Sequence, residues 1–159
     1  MDYFQGVVTE YLRADRAMFV NTECLLQLEP GDVPAKGRHW YCDALAANFR
    51  ESRIYLCEVS YSATLQSLLG RLAGWRMHWP ALIAALHRDC GLPLDWHVFP
   101  WVFIPSICHP VLTKKLDAIP VAVDTTTTMP RPRVTLLESV TPWNYKTWDR
   151  RESKIEGDE

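Results

Sequence analysis

Two acidic residues stand where a short hairpin would bring them together. Asp43 lies in the stretch Tyr41-Cys42-Asp43 and Glu58 in Cys57-Glu58-Val59-Ser60, with strand-like patterning on both sides of a tight polar turn. With Arg50 and Glu51 as the turn, Phe49 pairs with Ser52, the paired numbers sum to a constant and Asp43 falls opposite Glu58. Directly opposed residues of an antiparallel pair share a face, with Cβ atoms roughly 4.5–5.5 Å apart. Carboxylates so placed repel each other unless a proton or a cation lies between them. That cost marks the pair as a candidate site. A hard divalent ion suits it, because Mg²⁺ takes one or two carboxylates and completes its shell with water and substrate oxygens. Such an ion lowers the pKa of a bound water and neutralises a phosphate, the two requirements of phosphodiester hydrolysis. The Val59 carbonyl is a further candidate donor, and Glu10 on the first helix a candidate outer acid.

The competing reading is a solvated face. Leu45, Ala47, Ile54 and Leu56 share that face and are apolar, so a helix is expected to cover it near the turn. Other chemistries have weaker support. Cys108-His109 are sequence neighbours, and neighbouring side chains project in different directions, whereas a thiol nucleophile and its base are brought together by the fold. His39, His78, His87, His97 and His109 show no zinc-binding spacing. Ser60 has no Gly-x-Ser-x-Gly elbow around it. Trp75, Trp79, Trp96 and Trp101 fall on elements expected to be buried and read as core.

The elements that must position these residues follow from periodicity. Residues 2–17 have helical spacing of Tyr3, Phe4, Val7, Val8, Tyr11 and Leu12. Met18 to Leu28 reads as a strand ended by Glu29-Pro30-Gly31-Asp32, and the hairpin spans Gly37 to Asn48 and Arg53 to Tyr61. Leu65, Leu68, Leu69, Leu72, Trp75, Trp79, Leu82, Ile83 and Leu86 predict a long buried helix, kinked or restarted at Pro80. Trp96 to Ile104 predicts a strand with an irregularity or an edge position at Pro100. A short helix is expected over Pro110 to Ile119, and short strands at Val121 to Val123 and Arg133 to Val140.

At 159 residues and 48% hydrophobic, the chain has material for one core. One domain is expected over 1–148, with a charged, disordered tail over 149–159. A net charge of −2 announces no global field for nucleic acid or anionic membrane, although Arg131, Arg133, Lys146, Arg150 and Arg151 make the last third locally basic. Five scattered cysteines without a C-x-x-C pair argue against a disulfide scaffold and a zinc ribbon. No stretch has the length and apolarity of a membrane span and no leader is evident, so a cytoplasmic protein without a membrane partner is expected. The oligomeric state stays open, a homodimer included.

The order helix, three strands, helix, strand predicts a mixed α/β sheet flanked by helices. With an acid on the second strand, an acid on the third and a Gln early in the next helix, it resembles the restriction-endonuclease-like PD-(D/E)xK nucleases over roughly residues 2–106. The resemblance implies an αβββαβ core, with Asp43 as the metal-binding Asp, Glu58 as the acid of the (D/E)xK element, Gln66 as the helical Gln and Glu10 as the first-helix acid. It also implies Mg²⁺ or Mn²⁺ as cofactor and DNA as substrate. Ser60 stands where the family has its Lys, and Cys42 where it has Pro. A neutral hydroxyl does not supply the charge that a Lys places near the phosphate, so Lys36, Arg38 or Arg71 is the expected source of a replacement cation. The alternative is a catalytically degenerate member acting as a nucleic-acid or protein binding module. A third reading is an unrelated α/β domain with a fortuitous acidic pair.

Overall fold

The computed structural model describes residues 2–31, 37–122 and 124–144. Helix α1 (Tyr3–Arg13) precedes a meander of β1 (Met18–Gln27), β2 (His39–Asn48) and β3 (Arg53–Val59). Helices α2 (Gln66–Met77) and α3 (Trp79–Cys90) then lead to β4 (His97–Ile104), and α4 (His109–Asp117) leads to β5 (Arg133–Leu136). The strands form one mixed sheet in the order β1-β2-β3-β4-β5, antiparallel through β3 and parallel from β3 to β5. The helical connections explain the change, since parallel neighbours need a crossover and antiparallel ones only a turn.

The hairpin has the register expected from sequence, with Ala44 opposite Cys57, Leu45 opposite Leu56 and Asn48 opposite Arg53. Its turn is closed by Asn48, whose Oδ1 accepts from the Arg50 and Glu51 amides at 3.0 and 3.1 Å. Ser52 completes it at φ 55°, a left-handed conformation.

Helices cover both faces. Leu26, Leu45, Ile54 and Leu56 pack with Leu72, Trp75, Trp79 and Leu82 of α2 and α3, and with Leu112 and Leu116 of α4. On the other face Ala44, Ala46, Tyr55, Cys57, Trp101 and Phe103 meet Val8, Tyr11 and Leu12 of α1 and Leu137 and Val140 beyond β5. The long periodic segment is two helices: α2 ends at His78, and Pro80 sits in the first turn of α3, where its missing N–H costs nothing. Gly74 admits the Trp40 ring against α2, since a Cβ there would lie 3.1 Å from Trp40 Cζ2.

Three expectations need correction. Val121 and Ala122 are in no strand and Val121 is exposed, because Pro120 interrupts the chain between α4 and β5; Val123 lies outside the described residues. Strand β4 is interior despite Pro100. The Ser60 amide donates to the Phe103 carbonyl at 3.0 Å, so odd-numbered residues of β4 address β3 and even-numbered ones β5. Pro100 therefore turns its nitrogen to the side where pairing with β5 begins only at Trp101, and no ladder bond is lost. Strand β5 ends at Leu136 and passes into a 3-10 turn at Leu137–Ser139. The tail over 149–159, like Lys36, Lys146, Arg150 and Arg151, lies outside the described residues.

Ser52 offers a direct check on the hairpin. Left-handed backbone costs an L-residue about 1–2 kcal/mol, partly offset by the entropy that Gly loses on folding. Ser52→Gly is expected to raise unfolding free energy by about 0.5–1 kcal/mol in urea titration, and Ser52→Val to lower it.

Candidate functional site

Asp43 sits where the face alternation of two strands slips. Met18 and Val20 of β1 and Ala44 and Ala46 of β2 face the α1 layer, whereas Cys24, Leu26, Trp40 and Cys42 face the α2–α3 layer. The slip falls at Glu23, held at φ 52°, and at Asp43, the two positions missing from an otherwise continuous β1–β2 ladder. Both strands slip together, so Cys24 still pairs with Cys42. The Asp43 carboxylate consequently serves groups from several directions. Its Oδ2 accepts from the Val59 amide at 2.8 Å, and its Oδ1 accepts from Gln5 Nε2 at 2.7 Å.

Gln5 is fixed from the other side. The Asp2 carboxylate accepts from the Gln5 amide at 2.8 Å, and Gln5 Oε1 accepts from the Asp2 amide at 3.1 Å. This capping box satisfies two orphan donors at the start of α1 and leaves the Gln5 NH₂ for Asp43.

Glu58 follows Ile54 and Leu56 onto the α2 face and is 5% exposed. Arg71 of α2 reaches it, with Nη1 2.9 Å from Oε1, and the same nitrogen donates to the Tyr41 carbonyl at 2.6 Å. Burial pushes the Glu58 carboxyl up, the Asp43 charge and a hydrogen bond with Asp43 add to that, and Arg71 only partly opposes it, leaving a pKa of about 8. Glu58 is therefore largely protonated at neutral pH, and the proton relieves the repulsion inherent in the pair.

These groups line a cavity of about 170 Å³ bordered by Gln5, Asp43, Glu58, Ser60, Ser67 and Arg71. It opens beside the C-terminal end of β3, where open α/β sheets commonly bind ligands. Of the residues singled out from sequence, Asp43, Glu58 and Ser60 come together here. Gln66 and Glu10 do not border this cavity. Gln66 is exposed because α2 buries Leu68, Leu72 and Trp75, and at 3.6 residues per turn Gln66 lies about 200° from Leu68. Arg71 lies about 60° from Leu68, at the margin of the buried stripe. Glu10 projects from the outer face of α1, 71% exposed, with Arg13 at 3.8 Å. Gln5 went unread in the sequence, although the Asp2-x-x-Gln5 capping signature was visible there. Of the three candidate cations, Arg71 reaches the pair, Arg38 does not border the cavity, and Lys36 lies outside the described residues.

Among the described residues no group of three or more His, Cys, Asp or Glu side chains gathers as a metal site. Asp43 and Glu58 alone fit a hard ion that keeps most of its shell as water, and do not fit a closed protein cage. No helix of the described residues is long and apolar enough to cross a membrane. Comparison with known protein families, curated proteins and solved structures finds no match to this chain.

The raised Glu58 pKa fixes a sign for stability. Between about 4.5 and about 8 the folded state holds a proton that the unfolded chain has released, so unfolding free energy falls as pH rises through that window. The contribution is complete below the unfolded value and gone above the folded one. At about 1.4 kcal/mol per unit it amounts to a few kcal/mol. Glu58→Gln is expected to flatten that part of the profile in urea titrations from about pH 5 to pH 8.5; an unchanged slope would remove Glu58 as its source.

Proposed function

We propose that the chain is a divergent nuclease-like protein of the PD-(D/E)xK type that hydrolyses DNA phosphodiesters with Mg²⁺ or Mn²⁺, Arg71 standing in for the missing Lys. One observation carries the reading: carboxylates from two adjacent strands and a guanidinium from the following helix line a single cavity at a strand's C-terminal end. Asp43 and Glu58 would hold the ion, which supplies an activated water and neutralises phosphate charge. Gln5 and the Val59 amide orient Asp43 before any ligand arrives. Arg71 is poised to exchange Glu58 for a phosphate oxygen, a partner its planar fork matches well. A divalent ion at the two acids would then replace Arg71 as the positive charge that favours the ionised form of Glu58. Ser60, at the cavity wall, offers a hydroxyl to the phosphate or to water.

A second reading, a degenerate site retained as a nucleic-acid or protein binding module, is favoured by the balance already present. Arg71 and the proton on Glu58 offset the charge of the pair without any ion. The readings separate by Mn²⁺ titration calorimetry near pH 8.5, where Glu58 is mostly ionised, together with cleavage of plasmid and single-stranded DNA. For the nuclease, Asp43→Asn should abolish metal binding, and Arg71→Ala should slow cleavage about 10²–10³-fold, the scale of removing one preorganised donor. Ser60→Lys should restore part of the Arg71→Ala loss. Metal binding without cleavage, with Ser60→Lys alone creating activity, would establish the degenerate site. Neither binding nor cleavage in any variant would remove the nuclease reading.

A further inference from the structure

Strand β1 forms one side of the sheet, and half of its outer edge is open. The Phe49 amide donates to the Ala17 carbonyl at 2.9 Å, so Ala17, Phe19 and Asn21 turn their backbone groups to β2, while Val20 and Thr22 turn theirs outward. Beyond the slip at Glu23 the alternation is shifted. There the Leu28 amide donates to the Arg38 carbonyl at 3.1 Å, and Leu25 and Gln27 look outward. That second half is already covered: the Gln27 and Leu28 carbonyls accept from Arg88 of α3 at 2.8 and 3.2 Å, and the Leu25 carbonyl accepts from the Cys24 thiol at 3.8 Å. In the first half the Met18 amide is taken by the Asp15 carbonyl at 2.9 Å. Val20 and Thr22 remain, their outward amides and carbonyls without a partner among the described residues.

The open stretch carries none of the features that keep a sheet edge apart from other chains. Met18 to Thr22 reads Met-Phe-Val-Asn-Thr, without a charge, a proline or a glycine, and Phe19 is 64% exposed. We propose that the chain self-associates as a symmetric dimer, β1 pairing antiparallel with β1 of a second copy about a two-fold axis through Asn21. The spacing of the open residues selects this partner and this axis. Val20 falls opposite the partner's Thr22, and Thr22 opposite the partner's Val20. Each pair exchanges both of its main-chain bonds, which satisfies every open group of the two residues. An axis through Val20 would instead set Thr22 against the partner's Met18, whose amide is already engaged. Side chains agree with the register. Phe19 opposes the partner's Glu23, so no like charges meet, and Val20 lies beside the partner's Thr22 as a β-branched pair.

The association stops at two copies. Glu23, left-handed at φ 52°, and the Arg88 clamp end the open stretch on one side, and the Asp15–Met18 turn ends it on the other. The joined sheet then finishes at both ends in β5, a strand of four residues that offers little to a further chain. Ala81 and Ala84 are exposed and lie within about 40° of Arg88 around α3, so small side chains border the edge on that face and leave room for the partner's helix.

Sedimentation velocity of the whole chain reads the association. A reversible monomer–dimer equilibrium with a dissociation constant of about 10–100 µM is expected of so short a pairing. The Val20 amide points away from β2, so Val20→Pro removes an outward donor without breaking the β1–β2 ladder. It should raise the dissociation constant at least about tenfold and keep the melting temperature within about 5 °C of wild type. Cross-linking reads the register and does not depend on that variant. In chains that also carry Cys90→Ser, Asn21→Cys sets two sulfurs across the axis, with Cα atoms about 4.5 Å apart and within disulfide reach. Phe19→Cys sets them four residues apart along the strands, at about 14 Å. Mild oxidation should therefore cross-link Asn21→Cys at least about tenfold faster than Phe19→Cys. Equal rates would overturn the pairing, and so would a folded Val20→Pro that dimerises as wild type does. A wild-type chain that stays monomeric up to about 500 µM would leave the edge to a different protein and overturn the second copy. Growth beyond dimers would overturn the closed two-fold.

Discussion

Glu58 is a carboxyl buried beside another carboxyl, and the structure around the cavity is arranged to make that tolerable. An isolated ionised carboxylate in an apolar setting would cost many kcal/mol, so such a group either binds a proton or acquires a partner. Glu58 does both, through its raised pKa and through Arg71. Both oxygens of Asp43 accept hydrogen bonds, one from a backbone amide and one from Gln5. The two acids thus occupy unlike environments.

The fold supplies each of these partners by a separate route. The hairpin register brings Asp43 next to Glu58, and the face slip at Glu23 and Asp43 lets the Asp43 carboxylate meet the β3 backbone and α1 together. Helix α2 contributes Arg71 because the stripe that seats Leu68, Leu72 and Trp75 against the sheet carries Arg71 along its margin. Helix α1 contributes Gln5 because its N-terminal capping box fixes that side chain. Three unrelated packing requirements converge on one cavity. Shifting the hairpin register by one residue would turn Glu58 away from α2 and leave Arg71 without its partner.

What could be read from sequence was what depends on local pattern. The hairpin register followed from a turn of fixed length, and the α2–α3 break followed from Pro80. The apolar face shared by Leu45, Ile54 and Leu56 was legible from period-two alternation. The face slip was not legible, because a left-handed Glu23 has no side-chain signature of the kind a Gly would give. The same holds for the choice of site partners: assigning the helical polar role to Gln66 used order along the chain, whereas the angular position around α2 selects Arg71. Val121 was assigned to a strand on β-branching alone, a propensity that carries little weight without a neighbouring strand to pair with.

The partners already in place within the site have a chemical consequence. Arg71 already satisfies Glu58 and the Tyr41 carbonyl, so an incoming anion gains only the difference between its own interaction with the guanidinium and the one it displaces. A divalent ion, on the proposed reading, would likewise compete with the proton on Glu58 before gaining a second carboxylate. On the proposed reading the two ligands would help each other: a phosphate that drew Arg71 away would leave Glu58 without its cation, and an ion on the carboxylates would free Arg71 for the phosphate. Whatever factor one would contribute to binding of the other, linkage requires the same factor in return. On that reading, an acidic pair balanced by its own arginine and proton would be a site gated by the joint arrival of cation and anion.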